Sequence, residues 1–358
     1  MRTRAQALLG QIPLGKNQEL DGLALELANR AHGARASSTV AQYKEPWREF
    51  QVWAARMGTP ADNTLDVQPE LVAMYLMYVY QSAEADEVGH GRVSIASAAI
   101  ACNFFLAGQP SPTDLPACTL VRELSKRTLH TRKLNRGSMQ PEHIRAIALR
   151  FAGPDALLPD LMMVVSIAIM FAGFLRFSDL AQISVQHDKL VIGDTHMAFE
   201  IPRSKTDQVG KGHTLRIARV GGPACPVGLT ERLLTLGAYT RVPGPSAEEV
   251  GPLLRRVKIS AHGHALQQIT GAAGSRIPGL SYTSFREKFR AMCDAVGIDR
   301  GIMPHSLRIG GNSTAAAHGV PEEARKAHGR WKSDEMVRLY TRKNEDAALE
   351  VTRNLGLA

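Results

Sequence analysis

Long apolar runs are scarce in this chain. The longest, "LMMVVSIAIMFAGFL" from Leu161 to Leu175, is shorter than a membrane span and leads straight into Arg176 and Asp179, so it predicts a buried helix. Cysteine is scarce too. Cys102, Cys118, Cys225 and Cys293 are far apart, without the paired spacing of a zinc site or the density of a disulfide framework. They read as reduced, structural residues of an intracellular protein. No cluster of carboxylates has the spacing that a magnesium-dependent nuclease needs, so no metal and no cofactor is expected. Internal repeats and extended low-complexity tracts are absent. The opening "MRTRAQALLGQIPLG" begins with arginines, yet its apolar run is too short and broken for a signal peptide.

What the chain has is positive charge. Lys and Arg number 43 against 34 Asp and Glu, a net +9, which favours a polyanionic partner, nucleic acid before a membrane surface. Its 358 residues suffice for two domains with separate cores. The first half reads as helices. "SSTVAQYKEPWREFQVWAARMG" places Val40, Tyr43, Trp47, Phe50 and Trp53 at helical spacing, closed by Gly58, with Pro46 as a possible bend. "QPELVAMYLMYVYQSA" and "VSIASAAIACNFFLAG" follow, and the aromatic stripes read as core. The run "SKRTLHTRKLNRGSMQPEHI" then holds Lys126, Arg127, Arg132, Lys133 and Arg136 with no acid before Glu142. It reads as a basic linker, either solvated or lying on a phosphate backbone.

The second half is mixed. "KLVIG", "HMAFEIP" and "HTLRIAR", separated by Gly193-Asp194 and "DQVGKG", predict a three-stranded antiparallel meander. Helices resume with "GLTERLLTLGAY", "SYTSFREKFRAMCDAVG", "MPHSLRIGGNSTAAAHG" and "PEEARKAHG", Pro304 suiting a first helical position. The expected fold is mainly α with a small antiparallel sheet (α+β).

"RWKSDEMVRLYTR" then sets Tyr340 between cations, in a short helix that Ser333 or Asp334 would cap. Tyr340 is either a core aromatic sharing a face with Met336 and Val337, or a hydroxyl that meets an anion. Two arginines sit in apolar surroundings: Arg176 at the end of the apolar helix, and Arg308 among Leu307, Ile309, Gly310, Gly311 and Ala315. A buried guanidinium needs an anion, and phosphate suits its planar fork. His305, three residues before Arg308, faces the same way. The bland alternative is a structural ion pair with an acid such as Asp179.

"HSLRIGG", then Trp331, then Tyr340, with Arg176 and Asp179 far upstream, resembles the tyrosine site-specific recombinase (phage integrase) family, in its Cre-like pattern. The resemblance covers the catalytic half, roughly 137–342, and more weakly the helical first half. It implies a helical core-binding domain over 36–125, a basic linker at 126–137 and a catalytic domain over 138–343. Residues 344–358 would form a tail, exchanged between protomers or packed in cis, while 1–35 stay unassigned. It further implies that Tyr340 attacks a DNA phosphodiester and forms a 3′-phosphotyrosyl link. Arg176 and Arg308 would hold the non-bridging oxygens, and Asp179 would orient the basic residues. Lys205 would protonate the departing 5′-oxygen, although Lys211 lies in the same turn and competes for that role. His305 would assist proton transfer. Trp331 stands where many members have histidine, which sets His328 aside.

The implied protein is a metal- and ATP-independent recombinase, DNA-associated inside the cell. It would clamp double-stranded DNA between its two domains and work as a homo-tetramer on two sites through a Holliday junction. Mobile-element chemistry such as integration, excision, resolution or transposition fits it equally. Alternatives are a type IB topoisomerase acting as a monomer and a catalytically silent DNA-binding regulator. A basic helical adaptor for RNA or protein leaves the constellation unexplained.

Overall fold

The structure, a computed structural model, describes residues 17–30, 37–59, 61–129, 137–204, 207, 210–243, 250–260, 263–267 and 279–341. Lys205, Arg132, Lys133, Arg136 and the tail 344–358 lie outside them. The chain divides into two compact units between Lys133 and Leu134.

The first unit is helical: α1 (Gln18–Arg30), α2 (Ser37–Arg56), α3 (Pro69–Ala85), α4 (Gly91–Leu106) and α5 (Pro116–Thr128). Its core gathers the predicted stripes. Phe50, Trp53, Tyr75, Leu76, Ile100 and Phe104 are buried together, with Cys118 beneath them. Gly58, at φ +93°, ends the turn after α2 in the conformation only glycine adopts without cost. Helix α1 falls in the stretch 1–35, for which the sequence offered no assignment. One expectation is corrected here: Lys126 and Arg127, read as the start of a linker, belong to the last turn of α5, where their charge complements the helix C-terminus.

The second unit is built on α7 (Leu158–Ala172), preceded by α6 (Pro141–Phe151). Every residue of α7 from Leu161 to Met170 is buried, which explains its lack of polar face. A short helix, α8 (Phe177–Leu180), follows. Next come β1 (Leu190–Ile192), β2 (His196–Ile201) and β3 (His213–Ala218), an antiparallel sheet in the order β1-β2-β3. Met197, Phe199 and Ile201 alternate into the core, and Phe199 pairs with Leu190 on one side and Leu215 on the other. The sheet is followed by α9 (Pro226–Leu236), a two-stranded antiparallel ribbon of β4 (Val257–Ser260) and β5 (Gly263–Leu266), and α10 (Tyr282–Ala295). The ribbon was not foreseen. The chain closes with α11 (Pro304–Ala317), α12 (Glu322–Gly329) and α13 (Asp334–Leu339).

Helix α11 crosses very close to its neighbours. A Cβ on Gly310 would stand 2.0 Å from the Met139 carbonyl oxygen, and one on Gly311 would stand 2.2 Å from that of Phe171. Only glycine permits that approach, and it carries Arg308 to the centre of the unit. All four cysteines are buried and free. Among the described residues no helix is long and apolar enough to cross a membrane.

Candidate active site

The apolar helix does not run to Arg176. Helix α7 ends at Ala172, Phe174 takes a left-handed turn at φ +48°, and Arg176 becomes the N-cap of α8. The correction matters for the chemistry, because this break re-aims two groups. Phe174 points its carbonyl at Arg308, and Asp179, three residues past the cap, accepts the Arg176 backbone N–H at 3.1 Å. An acid at that position also favours the helix dipole.

Arg308 is 0% exposed. Its two terminal nitrogens donate to the carbonyl oxygens of Phe174 and Gly329, the latter at 2.7 Å, while Nε has no partner. No carboxylate bonds it directly, so the structural ion pair weighed above is not formed by Arg308. Burial first, then the charges of Arg176 and Arg330, push its guanidinium down to about 9. A cation buried under those conditions still carries its charge at neutral pH and attracts an anion.

The aromatic residues close around it. The Arg308 guanidinium carbon lies 4.3 Å from the Trp331 ring centroid and 5.6 Å from that of Tyr340. His305 meets Tyr340 edge to face, with centroids 5.3 Å apart. Tyr340 is half-buried and packs with Met336 against Phe174, Trp331 and Val337, a small core separate from the main one. The ring of this tyrosine is therefore packed, as the first reading has it, and the Arg308 guanidinium lies against it. The indole Nε1 of Trp331 is buried without a partner, a further donor beside Arg308.

Helix α13 reaches the site as expected, capped by Ser333, whose hydroxyl accepts from the Met336 N–H at 3.4 Å. What holds its far end was not foreseen. Asn312, 0% exposed, donates to the Val337 carbonyl at 3.2 Å and to the Thr341 hydroxyl at 3.0 Å. Arg325 donates to Asn312 Oδ1 and to Thr341 Oγ1, both at 3.1 Å. Ser313 reaches the Tyr340 carbonyl at 3.3 Å. Together these clamp the turn that carries Tyr340.

Arg330 is the second omission. It caps α12 in the left-handed conformation, φ +56°, and its side chain is only 9% exposed. It pairs with the fully buried Asp179 at 3.3 Å. His328 lies beneath, its Nε2 2.8 Å from the Ala172 carbonyl and its ring against Phe174.

Five of the residues expected at one site are thus gathered in space: Arg308, Trp331 and Tyr340 in mutual contact, His305 against Tyr340, and Asp179 through Arg330 and the Arg176 backbone. Arg176 itself is half-buried and near enough for its charge to depress both Arg308 and Arg330. Lys205 lies outside the described residues. Its rival Lys211 is exposed, and its backbone N–H bonds the Asp207 carboxylate at 3.2 Å. That carboxylate also accepts from Gly210 and Gly212, which folds the β2–β3 turn and holds Asp207 below the usual carboxylate range.

No protein-family model matches the chain. A curated integrase/recombinase, a xerD homolog of Selenomonas ruminantium, is 23% identical over 325 residues, covering 89% of this chain and 85% of the relative. Among solved structures, the XerH site-specific recombinase bound to a palindromic difH substrate, in a post-cleavage complex, superposes with a TM-score of 0.58. It is 11% identical and covers 98% of this chain and 93% of its own. The Tn1549 transposon integrase in complex with transposon right end DNA gives 0.53 at 13% identity, covering 98% and 99%. At these identities, what the chain shares with both solved proteins is the fold.

Proposed function

We propose, from the premise that this chain belongs to the tyrosine recombinase family, that it is a site-specific recombinase that cuts and rejoins DNA. The observation that carries the reading is Arg308: a wholly buried guanidinium without a carboxylate of its own, between Trp331 and Tyr340, with His305 alongside. Such a pocket is built for an anion next to a phenol.

In this reading the Tyr340 oxygen attacks the phosphorus of a DNA phosphodiester. The bond from phosphorus to the 5′-oxygen breaks, and a 3′-phosphotyrosyl bond replaces it. His305 takes the phenol proton, and Lys205 gives one to the leaving 5′-oxygen. Arg176, Arg308 and the Trp331 N–H receive the non-bridging oxygens, where charge grows in the transition state. A phenol has a pKa near 10, so cations around it raise its competence as a nucleophile. Because one phosphodiester replaces another, rejoining is the same step reversed, by an incoming 5′-hydroxyl, and needs no ATP. The guanidinia supply the charge neutralisation for which other nucleases use a metal.

Double-stranded DNA is the proposed partner, and four protomers on two sites the proposed working assembly, through a Holliday junction. The basic run Arg132, Lys133 and Arg136 is proposed to lie on the phosphate backbone. Neutralising Arg132 and Lys133 should then lower the slope of log affinity against log salt by roughly one for each phosphate no longer bound, and an unchanged slope would place the run off the DNA.

The test starts from duplexes selected for binding out of a random-sequence pool and then nicked near the centre, so that a cut strand diffuses away. Incubation should leave DNA covalently attached to the peptide containing Tyr340, identified by mass spectrometry. Binding without any adduct would make the chain a silent regulator. Relaxation of any supercoiled plasmid, without joining of two sites, would favour a topoisomerase.

A further inference from the structure

We infer that Arg330 is a positioning residue of the phosphate pocket, holding Asp179 away from Arg308 and Arg176 so that those guanidinia stay open to the substrate phosphate. The inference rests on the reading of this pocket as a phosphate site and adds a component to it.

Three observations meet here. First, Arg330 adopts a left-handed backbone at φ +56°, the helix-ending conformation in which glycine or asparagine is usual. Strained positions persist where the surrounding structure over-determines them, and they cluster at working sites. Second, its side chain is turned inward, 9% exposed, and is fixed at both ends of its fork. One terminal nitrogen donates to the His328 carbonyl at 3.2 Å, the other to Asp179 Oδ2 at 3.3 Å. Third, Asp179 is the carboxylate whose charge offsets both Arg308 and Arg330, and it is itself 0% exposed, with Oδ1 lacking any partner.

A buried carboxylate near Arg308, which is bonded only to backbone carbonyls, and near Arg176 has an obvious alternative, which is to form a bidentate pair with one of them. That pair would fill the place meant for phosphate. With Arg330 present, Asp179 Oδ2 is already shared between the Arg176 backbone N–H and the Arg330 fork. Three guanidinia against one carboxylate also leave the pocket in cationic excess, as anion binding requires. Arg330 sits directly before Trp331, so its turn sets the direction in which the indole leaves α12 as well.

Orthovanadate, which takes the shape of a phosphoryl group in transfer, probes the pocket without DNA. Its affinity is read from Trp fluorescence for the full chain and for Arg330→Gly, Arg330→Lys, Asp179→Asn and the double variant Arg330→Gly/Asp179→Asn, each first checked by thermal melting. We expect Arg330→Gly to bind vanadate at least tenfold more weakly and Arg330→Lys to keep most of the affinity. In the Asp179→Asn background, where no charge remains to be held, removing Arg330 should change affinity less than twofold. Should the Gly variant fail to fold, Arg330→Gln, which retains a hydrogen bond without the charge, is read in the same two backgrounds. An equal loss in both backgrounds overturns the inference in favour of direct contact with the anion. No loss in either reduces Arg330 to a helix cap. A wild-type chain that binds no vanadate removes the pocket itself, whereas vanadate binding without DNA adducts leaves this inference standing and sinks strand cleavage.

Discussion

The indole of Trp331 and the phenol of Tyr340 lie stacked, with centroids 5.5 Å apart and planes 30° from parallel. A nucleophilic phenol that swung freely would lose most encounters with its target, and holding reacting groups in place is a large part of catalysis. The stack fixes the ring without engaging the hydroxyl. Tyr340→Phe should therefore leave melting temperature and DNA affinity nearly unchanged while abolishing covalent adducts. Adducts formed by the Phe variant would assign the nucleophile elsewhere.

The two turn lysines can be separated by leaving-group chemistry. If Lys205 protonates the departing 5′-oxygen, Lys205→Ala should cleave poorly on ordinary DNA. It should recover when sulfur replaces the bridging 5′-oxygen, since a thiolate leaves without a proton. Lys211→Ala should change affinity more than cleavage. Sulfur rescue of Lys211→Ala alone would transfer the role.

Asn312→Ala tests the clamp on the Tyr340 turn. It removes the donors to Val337 and Thr341 and strips Arg325 of one acceptor, all in buried surroundings. A loss of about 1–3 kcal/mol is expected from urea unfolding, the usual effect of leaving buried polar groups unpaired. Cleavage should slow even at temperatures where the variant is fully folded. Full-rate cleavage by a folded Asn312→Ala protein would show that the turn holds itself.

Stability should also fall in mild acid. Burial pushes the His328 imidazole below its ordinary range, and the nearby Arg330 charge adds to that. The bond between His328 Nε2 and the Ala172 carbonyl works against this shift without overcoming it. Unfolded, the same histidine takes up a proton near pH ~6.5. The unfolded chain thus binds more protons below that pH, so the stabilisation is complete above it and is lost as pH falls toward the lower folded value. His213, also depressed, by partial burial and by the Arg330 charge, adds in the same direction. The gap between urea midpoints at pH 7.5 and 5.5 should be narrower in His328→Asn than in the wild type, with His213 supplying part of what remains. Equal divergence in both would remove His328 as the cause.

How much of this was legible depended on whether local chemistry left a periodic trace. The meander was, because Met197, Phe199 and Ile201 alternate with solvent-facing residues. The ribbon of β4 and β5 was not: "VKIS" and "GHAL" are short and largely exposed, and Ile259 is 80% exposed, so no apolar face repeats. Arg308 stood out because a cation occurred where packing alone would not put it, whereas His305, Trp331 and Tyr340 gained their weight from the family pattern that the whole set resembles. Arg330 was hidden for the opposite reason. A left-handed cap is read from glycine or asparagine, and an arginine there looks like one more surface cation. At the end of α7 the stop signal was present but passed over: Gly173 is the C-cap, and the apolar residues on both sides of it make the run to Leu175 read as continuous. Asn312 and Arg325 were invisible because their partners, Val337 and Thr341, come from another helix turn and the chain beyond it.

The buried charge of Arg308 also bears on how this protein would respond to selection in the laboratory. Desolvating a guanidinium against two backbone carbonyls and an indole, with no carboxylate bonded to it, is costly as long as no anion is bound. Variants chosen purely for heat resistance, without DNA in the tube, will therefore accumulate neutral residues around that position and become sturdy and inert. Including oligonucleotides during the heat step reverses the pressure, since whatever binds only the folded chain rewards the variants that still bind it.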